Sequence, residues 1–508
     1  MHQPQRSRTA AGRSRHAAAV LLCAILPACA GARAARPGLL APARLGAIID
    51  SVVSSPPLDR TQWGIAVRDA ESGEWLVRLD AERHFIPASN TKLVVTAVAL
   101  GELGPAFRYE TPVFARAAVG DSMADELVII GRGDPTFSAR FHGSDFTVTD
   151  SLADRIAEAG VRRVGTITID ASFFGDRPVN GTWEVGDLPA AYAPPIDAFA
   201  IGEGTVQLVL SGAVTTGAPA RLGTAGPPGL QNVIGRITTD TAGARTQTSI
   251  DFLDRTDSVV IRGSIAASRT DTLRVAVTRP AMFAARALEF ALRARGVRVD
   301  GTVRILTDSA EAMQLRHRLH ADYRRITALA SPPLPDIVAA ILRPSQNWIA
   351  EQLLKTLGGE RRGTGGWSTG LEVERRYLID RAGIDSAAFF LRDASGLSPQ
   401  NLLAPDALVA ILAHARAQPW GPAFRDALPE PGMTDSTLET RLLDLRGRLR
   451  AKTGSITNVN TLSGYITTAD GRQLIFSVMT NASGASAAAV RRGMDRIMEA
   501  IAAEGARQ

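Results

Sequence analysis

At 508 residues the chain is too long for one hydrophobic core, so two or three domains are expected. With 45% hydrophobic and 21% charged residues it is not a chain dominated by disorder. The formal net charge is +6, but residues 1–36 hold six arginines (6, 8, 13, 15, 33 and 36) and no acid, so the rest is near neutral and no nucleic-acid surface is implied.

Residues 1–36 have the layout of a signal peptide. Arg6, Arg8, Arg13 and Arg15 form a basic start, 17–28 is apolar, and Ala28-Cys29-Ala30 and Ala32-Arg33-Ala34 both fit a cleavage site. Leu26-Pro27-Ala28-Cys29 also resembles a lipobox with an atypical Pro27, which would make Cys29 a lipid anchor in place of simple cleavage. The apolar run is too short to span a bilayer. The mature protein is therefore expected to be exported and periplasmic, free or held by lipid. Both cysteines, Cys23 and Cys29, fall in this segment, so no disulfide is expected in the mature chain.

Beyond it, 38–55 predicts a helix, and 61–69 and 74–80 predict a hairpin around Ala70-Glu71-Ser72-Gly73. An apolar helix over 93–103 follows Pro87, with Ser89 in its first turn. Residues 106–325 are rich in Thr, Val, Gly and Asp, with strand patterns at 126–130, 163–169, 205–210 and 258–262 and one helix at 281–295. Helices are then predicted at 336–342, 348–357, 372–382 and 406–417, strands at 449–452, 462–467 and 473–479, and a final helix at 486–504. Strand hairpins at both ends suggest one domain, 37–105 with 326–508, split by mostly-β accessory domains at 106–185 with 275–325 and, nested, 186–274.

Lysine usage points to chemistry. Lys and Arg total 57, yet only Lys92, Lys355 and Lys452 are lysine. Where arginine serves for generic charge, a retained lysine suggests an amine that must be able to lose its proton; a chance remainder of the bias is the alternative. Two of the three sit in short patterns: Ser89-Asn90-Thr91-Lys92 is S-x-x-K and Lys452-Thr453-Gly454 is K-T-G. Between them Ser345-Gln346-Asn347 is S-x-N. Each is weak alone; all three in this order are the signature set of penicillin-binding proteins and serine β-lactamases.

The residue types suit acyl transfer. A serine hydroxyl needs a base to take its proton. Positions i and i+3 share a helix face, so Lys92 can stand beside Ser89. Desolvation and a second ammonium, such as Lys452, would favour its neutral form. Ser345 and Asn347, on a loop after Pro344, can relay a proton to the leaving amine and hold the substrate amide. Lys452 puts a positive charge at the site edge, Thr453 can bind a substrate carboxylate, Gly454 permits close backbone approach, and the N–H groups of Ser89 and Ser455 can hold an oxyanion. The bland readings are a helix cap with a solvated lysine, a capped loop at Ser345 and an ordinary strand end.

The chain further resembles the S13 peptidases, class C low-molecular-weight penicillin-binding proteins with D-alanyl-D-alanine carboxypeptidase and endopeptidase activity. Phe85-Ile86-Pro87-Ala88-Ser89, Gly131-Arg132-Gly133-Asp134-Pro135-Thr136, Asp393-Ala394-Ser395-Gly396-Leu397-Ser398, the run 448–454 and Leu462-Ser463-Gly464-Tyr465 are similar to that family's elements. Ala394, Arg132, Phe137 and Ser455 depart from its usual residues without removing a catalytic group. The resemblance implies an α/β (α+β) transpeptidase-like domain, an antiparallel sheet flanked by helices, with inserted domains in the roughly 250-residue gap between Ser89 and S-x-N. It implies peptidoglycan stem peptides and cross-links as substrates and β-lactams as covalent inhibitors that acylate Ser89 and leave slowly. A serine β-lactamase and a non-catalytic cell-wall-binding protein on the same scaffold are the alternatives. His317 and His320 lack a third ligand and read as a solvated helix face, so no metal and no cofactor are expected.

Overall fold

Antiparallel pairing brings the two ends of the chain into one five-stranded sheet, ordered Leu449–Ile456, Val459–Thr467, Gln473–Asn481, Gln62–Asp69, Trp75–Leu79. The computed structural model describes residues 39, 41–117, 122–253 and 256–505; the signal peptide and the Cys29 anchor lie outside them. The seam runs from Gln62 opposite Asn481 to Asp69 opposite Leu474. Its strands read as near-continuous apolar runs because both faces are covered.

On one face lie the helices Ala43–Val53 and Ala487–Ala502, whose Leu45, Ile49, Met494, Ile497 and Ile501 bury against Val67, Phe476 and Val478. Ser486 caps the second helix, its hydroxyl accepting from Ala489 N–H. On the other face Ala66, Ile475 and Met479 meet a cluster that includes Thr91–Leu103, Leu334–Leu342, Asn347–Arg362 and Pro405–Ala417. Every residue from Thr91 to Leu100 is buried, as expected of a helix with neighbours all round.

The segment between is built on a six-stranded sheet, Arg298–Val299, Arg163–Asp170, Met123–Ile130, Glu110–Ala117, Arg324–Ala330, with Val303–Leu306 also on Arg163–Asp170. Two three-stranded sheets follow from residues 205–276. Its helices exceed the sequence expectation. Besides Pro280–Ala294, Thr147–Glu158 and Ser309–Asp322 are helical. In the first, Val148, Leu152 and Ile156 recur at helical spacing inside a Thr- and Asp-rich stretch that masks them. The second starts at an Asp308 cap, which accepts from Glu311 N–H. His317 and His320 lie exposed on that helix.

Candidate active site

Pro87 sets up a tight turn: Ala88–Asn90 forms one 3₁₀ turn that runs into the Thr91–Leu103 helix, with Ala88 in the left-handed region at φ 46°. Such a conformation costs about 1–3 kcal/mol and persists only where the surroundings over-determine it. Here they do. Thr461 Oγ1 donates to Pro87 O at 3.0 Å, and Asn90 Nδ2 donates to Ser463 Oγ at 2.8 Å. Two glycines press on the same turn. A Cβ on Gly454 would fall 2.9 Å from Ser89 N and 3.0 Å from Pro87 O; one on Gly396 would fall 1.8 Å from Ala88 O. The close approach that Gly454 permits is therefore to the Ser89 turn itself.

Lys92, one turn along, is fully buried. Its Nζ lies 2.9 Å from Ser89 Oγ, 2.7 Å from Asn347 Oδ1 and 2.5 Å from Ser395 O. Burial pushes the amine down to about 7, against the opposing pull of the Asp393 and Glu351 carboxylates. The sequence expectation that Lys452 would help depress it is not met: burial alone lowers Lys92, while Lys452 is itself held well below its ordinary range, by burial first and by the nearby Lys92 amine second.

Ser345 follows Pro344 with φ 66°. Its Oγ accepts from Lys452 Nζ at 2.7 Å, and the same amine donates to Thr453 O at 2.7 Å. The cap of the next helix is Gln346, whose side chain accepts from Ile349 N–H, so Ser345 is not spent on capping. Asn347 is the first residue of that helix, and its Nδ2 donates to Tyr192 O at 2.9 Å, tying the site to the inserted segment. Ser89, Asn347 and Ser455 line a cavity of about 420 Å³ with Glu184, Asp187 and Tyr192. Ser89, Ser345, Thr453, Gly454 and Ser455 line a second of about 370 Å³. All eight residues singled out from the sequence thus converge.

Glu351 was not visible in advance. One turn after Asn347 on the same helix face, it is fully buried. Its carboxylate accepts from Ala394 N–H at 3.1 Å, Ser395 N–H at 2.7 Å and Trp367 Nε1 at 2.7 Å, fixing the peptide whose carbonyl meets Lys92. Asp393 shapes the same loop, accepting from Gly396 N–H at 2.9 Å and Ser398 N–H at 2.7 Å. Burial, then the Asp393 charge, pushes the Glu351 carboxyl up. The i+4 spacing from Asn347 was the available signal. The third lysine, Lys355, stands outside both cavities, paired with Asp176 at 2.6 Å and 4.1 Å from the Trp367 ring centre. Among the described residues no acidic, histidine or cysteine cluster could hold a metal, and no helix is long and apolar enough to cross a membrane.

The chain is 32% identical to a D-alanyl-D-alanine carboxypeptidase of Actinomadura sp. (strain R39), over 94% of this chain and 89% of that protein. It is 23% identical to D-alanyl-D-alanine carboxypeptidase DacB of Haemophilus influenzae, over 78% and 81%. The crystal structure of penicillin binding protein 4 (dacB) from Haemophilus influenzae superimposes with a TM-score of 0.77 at 20% identity, covering 89% of this chain and 99% of that one, and so shares the fold. The profile of the D-Ala-D-Ala carboxypeptidase 3 (S13) family matches residues 45–501, and the chain belongs to that family.

Proposed function

We propose that this chain is an exported serine D,D-peptidase that removes terminal D-alanine from peptidoglycan stem peptides and opens cross-links through an acyl-enzyme on Ser89, and that β-lactams acylate the same hydroxyl. The observation that carries the reading is the set of partners around Lys92 Nζ. Two of the three, Asn347 Oδ1 and Ser395 O, are carbonyl oxygens and only accept. A neutral amine has two N–H groups and one lone pair. With both N–H groups given to the carbonyls, the lone pair is left for the Ser89 hydroxyl at 2.9 Å.

Ser89 Oγ then attacks the carbonyl carbon before the terminal D-alanine as its proton passes to Lys92. The N–H groups of Ser89 and Ser455 hold the oxyanion. Ser345, hydrogen-bonded to Lys452, relays to the departing amine the proton that Lys92 took from Ser89, so that both side chains return to their starting state as the C–N bond breaks. In the second half Lys92 takes a proton from water as it attacks the ester carbonyl, and that proton returns to Ser89 Oγ as the ester C–O bond breaks. Asn347 orients the substrate amide and the Thr453 hydroxyl receives its carboxylate; Lys452, fully buried and hydrogen-bonded to Ser345 Oγ and Thr453 O, does not supply the charge at the site edge that the sequence suggested. Support for β-lactams as inhibitors comes from the related Haemophilus influenzae protein, which has been crystallised with one.

The same reading divides the chain into a signal peptide at 1–36, a peptidase domain at 37–105 and 326–508, and accessory domains at 106–185 with 275–325 and at 186–274. The separate sheets support the nesting, with two bounds moved: Arg324–Ala330 pairs in the inserted six-stranded sheet and carries that domain to about residue 330, and Thr270–Ala276 pairs with Thr205–Ser211 and carries the nested domain to 276. It places the mature protein in the periplasm, held by lipid if Cys29 is modified. The test is digestion of purified muropeptides with mass spectrometry of the products. The wild type is expected to release D-alanine and convert cross-linked dimers to monomers, and Ser89→Ala to do neither. Wild-type products without D-alanine release or dimer cleavage would refute it.

A further inference from the structure

The helix Asn347–Arg362, which carries Asn347 and Glu351, is held along one side by the inserted segment. Asn347 Nδ2 donates to Tyr192 O at 2.9 Å, Trp348 Nε1 to Pro195 O at 3.3 Å and Gln352 Nε2 to Asp197 O at 2.9 Å. These acceptors are backbone carbonyls. The contact at the head of the helix differs: Gln346 Nε2 donates to a side-chain carboxylate, Glu203 Oε2, at 2.5 Å. Gln346 is the middle residue of S-x-N, a position whose identity the pattern leaves open.

Glu203 is built into place. It stands in the left-handed region at φ 57°, ψ 34°, between Gly202 and Gly204, which are left-handed as well. A residue other than glycine holds that conformation only where its surroundings impose it. Gly202 N–H donates to Phe137 O at 2.8 Å, and Gly202 O accepts from Thr205 Oγ1 at 2.7 Å and from Arg274 Nη2 at 3.0 Å. The Glu203 side chain is only 14% exposed. Its Oε1 accepts from Arg140 Nε at 2.7 Å, and its Oε2 accepts from Arg140 Nη2 at 3.3 Å as well as from Gln346.

A carboxylate accepts and does not donate, so Glu203 decides which end of the Gln346 amide faces it. The amide nitrogen turns to Glu203, and Oε1 is left to accept from Ile349 N–H at 3.1 Å, capping the helix. Turned the other way, the amide would set oxygen against oxygen and leave Ile349 N–H without its acceptor. Gln346 N–H meanwhile donates to Ile341 O at 2.9 Å. The residue fixed in this way sits between Ser345, which meets Lys452, and Asn347, which meets Lys92.

We propose that Glu203 is a positioning residue for the peptidase reaction: clamped by Arg140, it orients the Gln346 amide and so locks the S-x-N turn against Lys92 and Lys452. The inference rests on the acyl-enzyme reading and gives the inserted segment a part in it. Glu203 acts through Gln346 and touches none of the reacting atoms. The leverage is geometric, since a reacting group displaced by about 1 Å loses on the order of a hundredfold in rate.

The test exchanges the pair. In Glu203→Gln an amide nitrogen meets either Gln346 Nε2 or Arg140, donor against donor. In Gln346→Glu two carboxylates meet. The double variant Glu203→Gln/Gln346→Glu restores a donor and an acceptor with their roles reversed, and the carboxylate at 346 still accepts from Ile349 N–H. The second-order rate constant for penicillin acylation of the full-length protein is measured beside the melting temperature. Rate constants are compared and not amplitudes, because unfolded protein lowers the amplitude alone. Each single variant is expected to lose about tenfold in rate constant, and the double variant to return to within about threefold of the wild type. Single variants that react at the wild-type rate, or a double variant no faster than the slower single one, would overturn the proposal. Arg140→Gln loosens the clamp from its exposed side and carries the test if the exchanged pair does not fold; a slower rate constant is expected and a wild-type one would overturn the proposal. A wild type that takes no adduct on Ser89 would instead remove the acyl-enzyme reading, whereas normal Ser89 acylation unmoved by these variants removes this proposal alone.

Discussion

Lys452 and Ser345, 107 residues apart in the chain, are joined by a 2.7 Å hydrogen bond from amine to hydroxyl. The K-T-G strand and the S-x-N turn are thereby one unit, with the amine too buried to act as a solvated surface charge. Lys452→Met is expected to leave Ser345 without this donor and to slow acylation by at least about a hundredfold, the scale of a lost general acid or base contribution. Lys355→Met is the contrast. Its amine pairs with Asp176 away from Ser89, so the variant should melt at lower temperature yet still react with penicillin once folded. Stopped-flow acylation and thermal melts separate the two.

The pH dependence follows from Lys92. The amine must be unprotonated to receive the Ser89 proton, and burial holds it at about 7. kcat/KM should therefore climb as pH rises toward about 7 and level off above it. Lys92→Arg cannot be deprotonated in this range and should lose the rise together with about 10²–10⁴-fold in rate. A wild-type profile flat through neutrality would contradict the assignment of Lys92 as base.

Gly454 offers a steric test. A Cβ there would meet Thr461 Oγ1 at 2.3 Å and Ser89 N at 2.9 Å. Gly454→Ala is expected to push the strand from the Ser89 turn, cost about 1–3 kcal/mol of stability and reduce acylation. Paired melting and penicillin-acylation measurements read both effects. An alanine variant acylating at the wild-type rate would show that the strand does not set the position of Ser89.

Glu351→Ala should be among the most damaging changes away from the cleft surface. It strands the N–H groups of Ala394, Ser395 and Trp367, at about 1–3 kcal/mol for each buried donor left unpaired. Glu351→Gln keeps one accepting oxygen and should fall between. Chemical denaturation of the three proteins checks the order.

Much of this arrangement was legible before any coordinates. Ser89, Lys92, Ser345 and Lys452 were marked by short patterns and by scarce lysine in an arginine-rich chain, and the terminal hairpins by runs bounded by turn residues. What stayed hidden depends on tertiary partners. Nothing in the local sequence of Glu351 says that it will accept from a loop more than forty residues away. Tyr192, Glu184 and Asp187 belong to the inserted segment, whose approach to Asn347 is set by packing and not by a motif. The Thr147–Glu158 helix was masked by its Thr and Asp content, residues that compete for backbone hydrogen bonds and weaken a helical signal. Ser345 was read as one capping candidate; Gln346 takes the cap and leaves the serine hydroxyl to Lys452.

The most direct measurement is mass spectrometry of the intact and digested protein after brief exposure to penicillin. The account predicts a single penicilloyl adduct on the peptide that carries Ser89, absent from Ser89→Ala. A wild type that acquires no adduct, or an adduct that persists in Ser89→Ala, would contradict it.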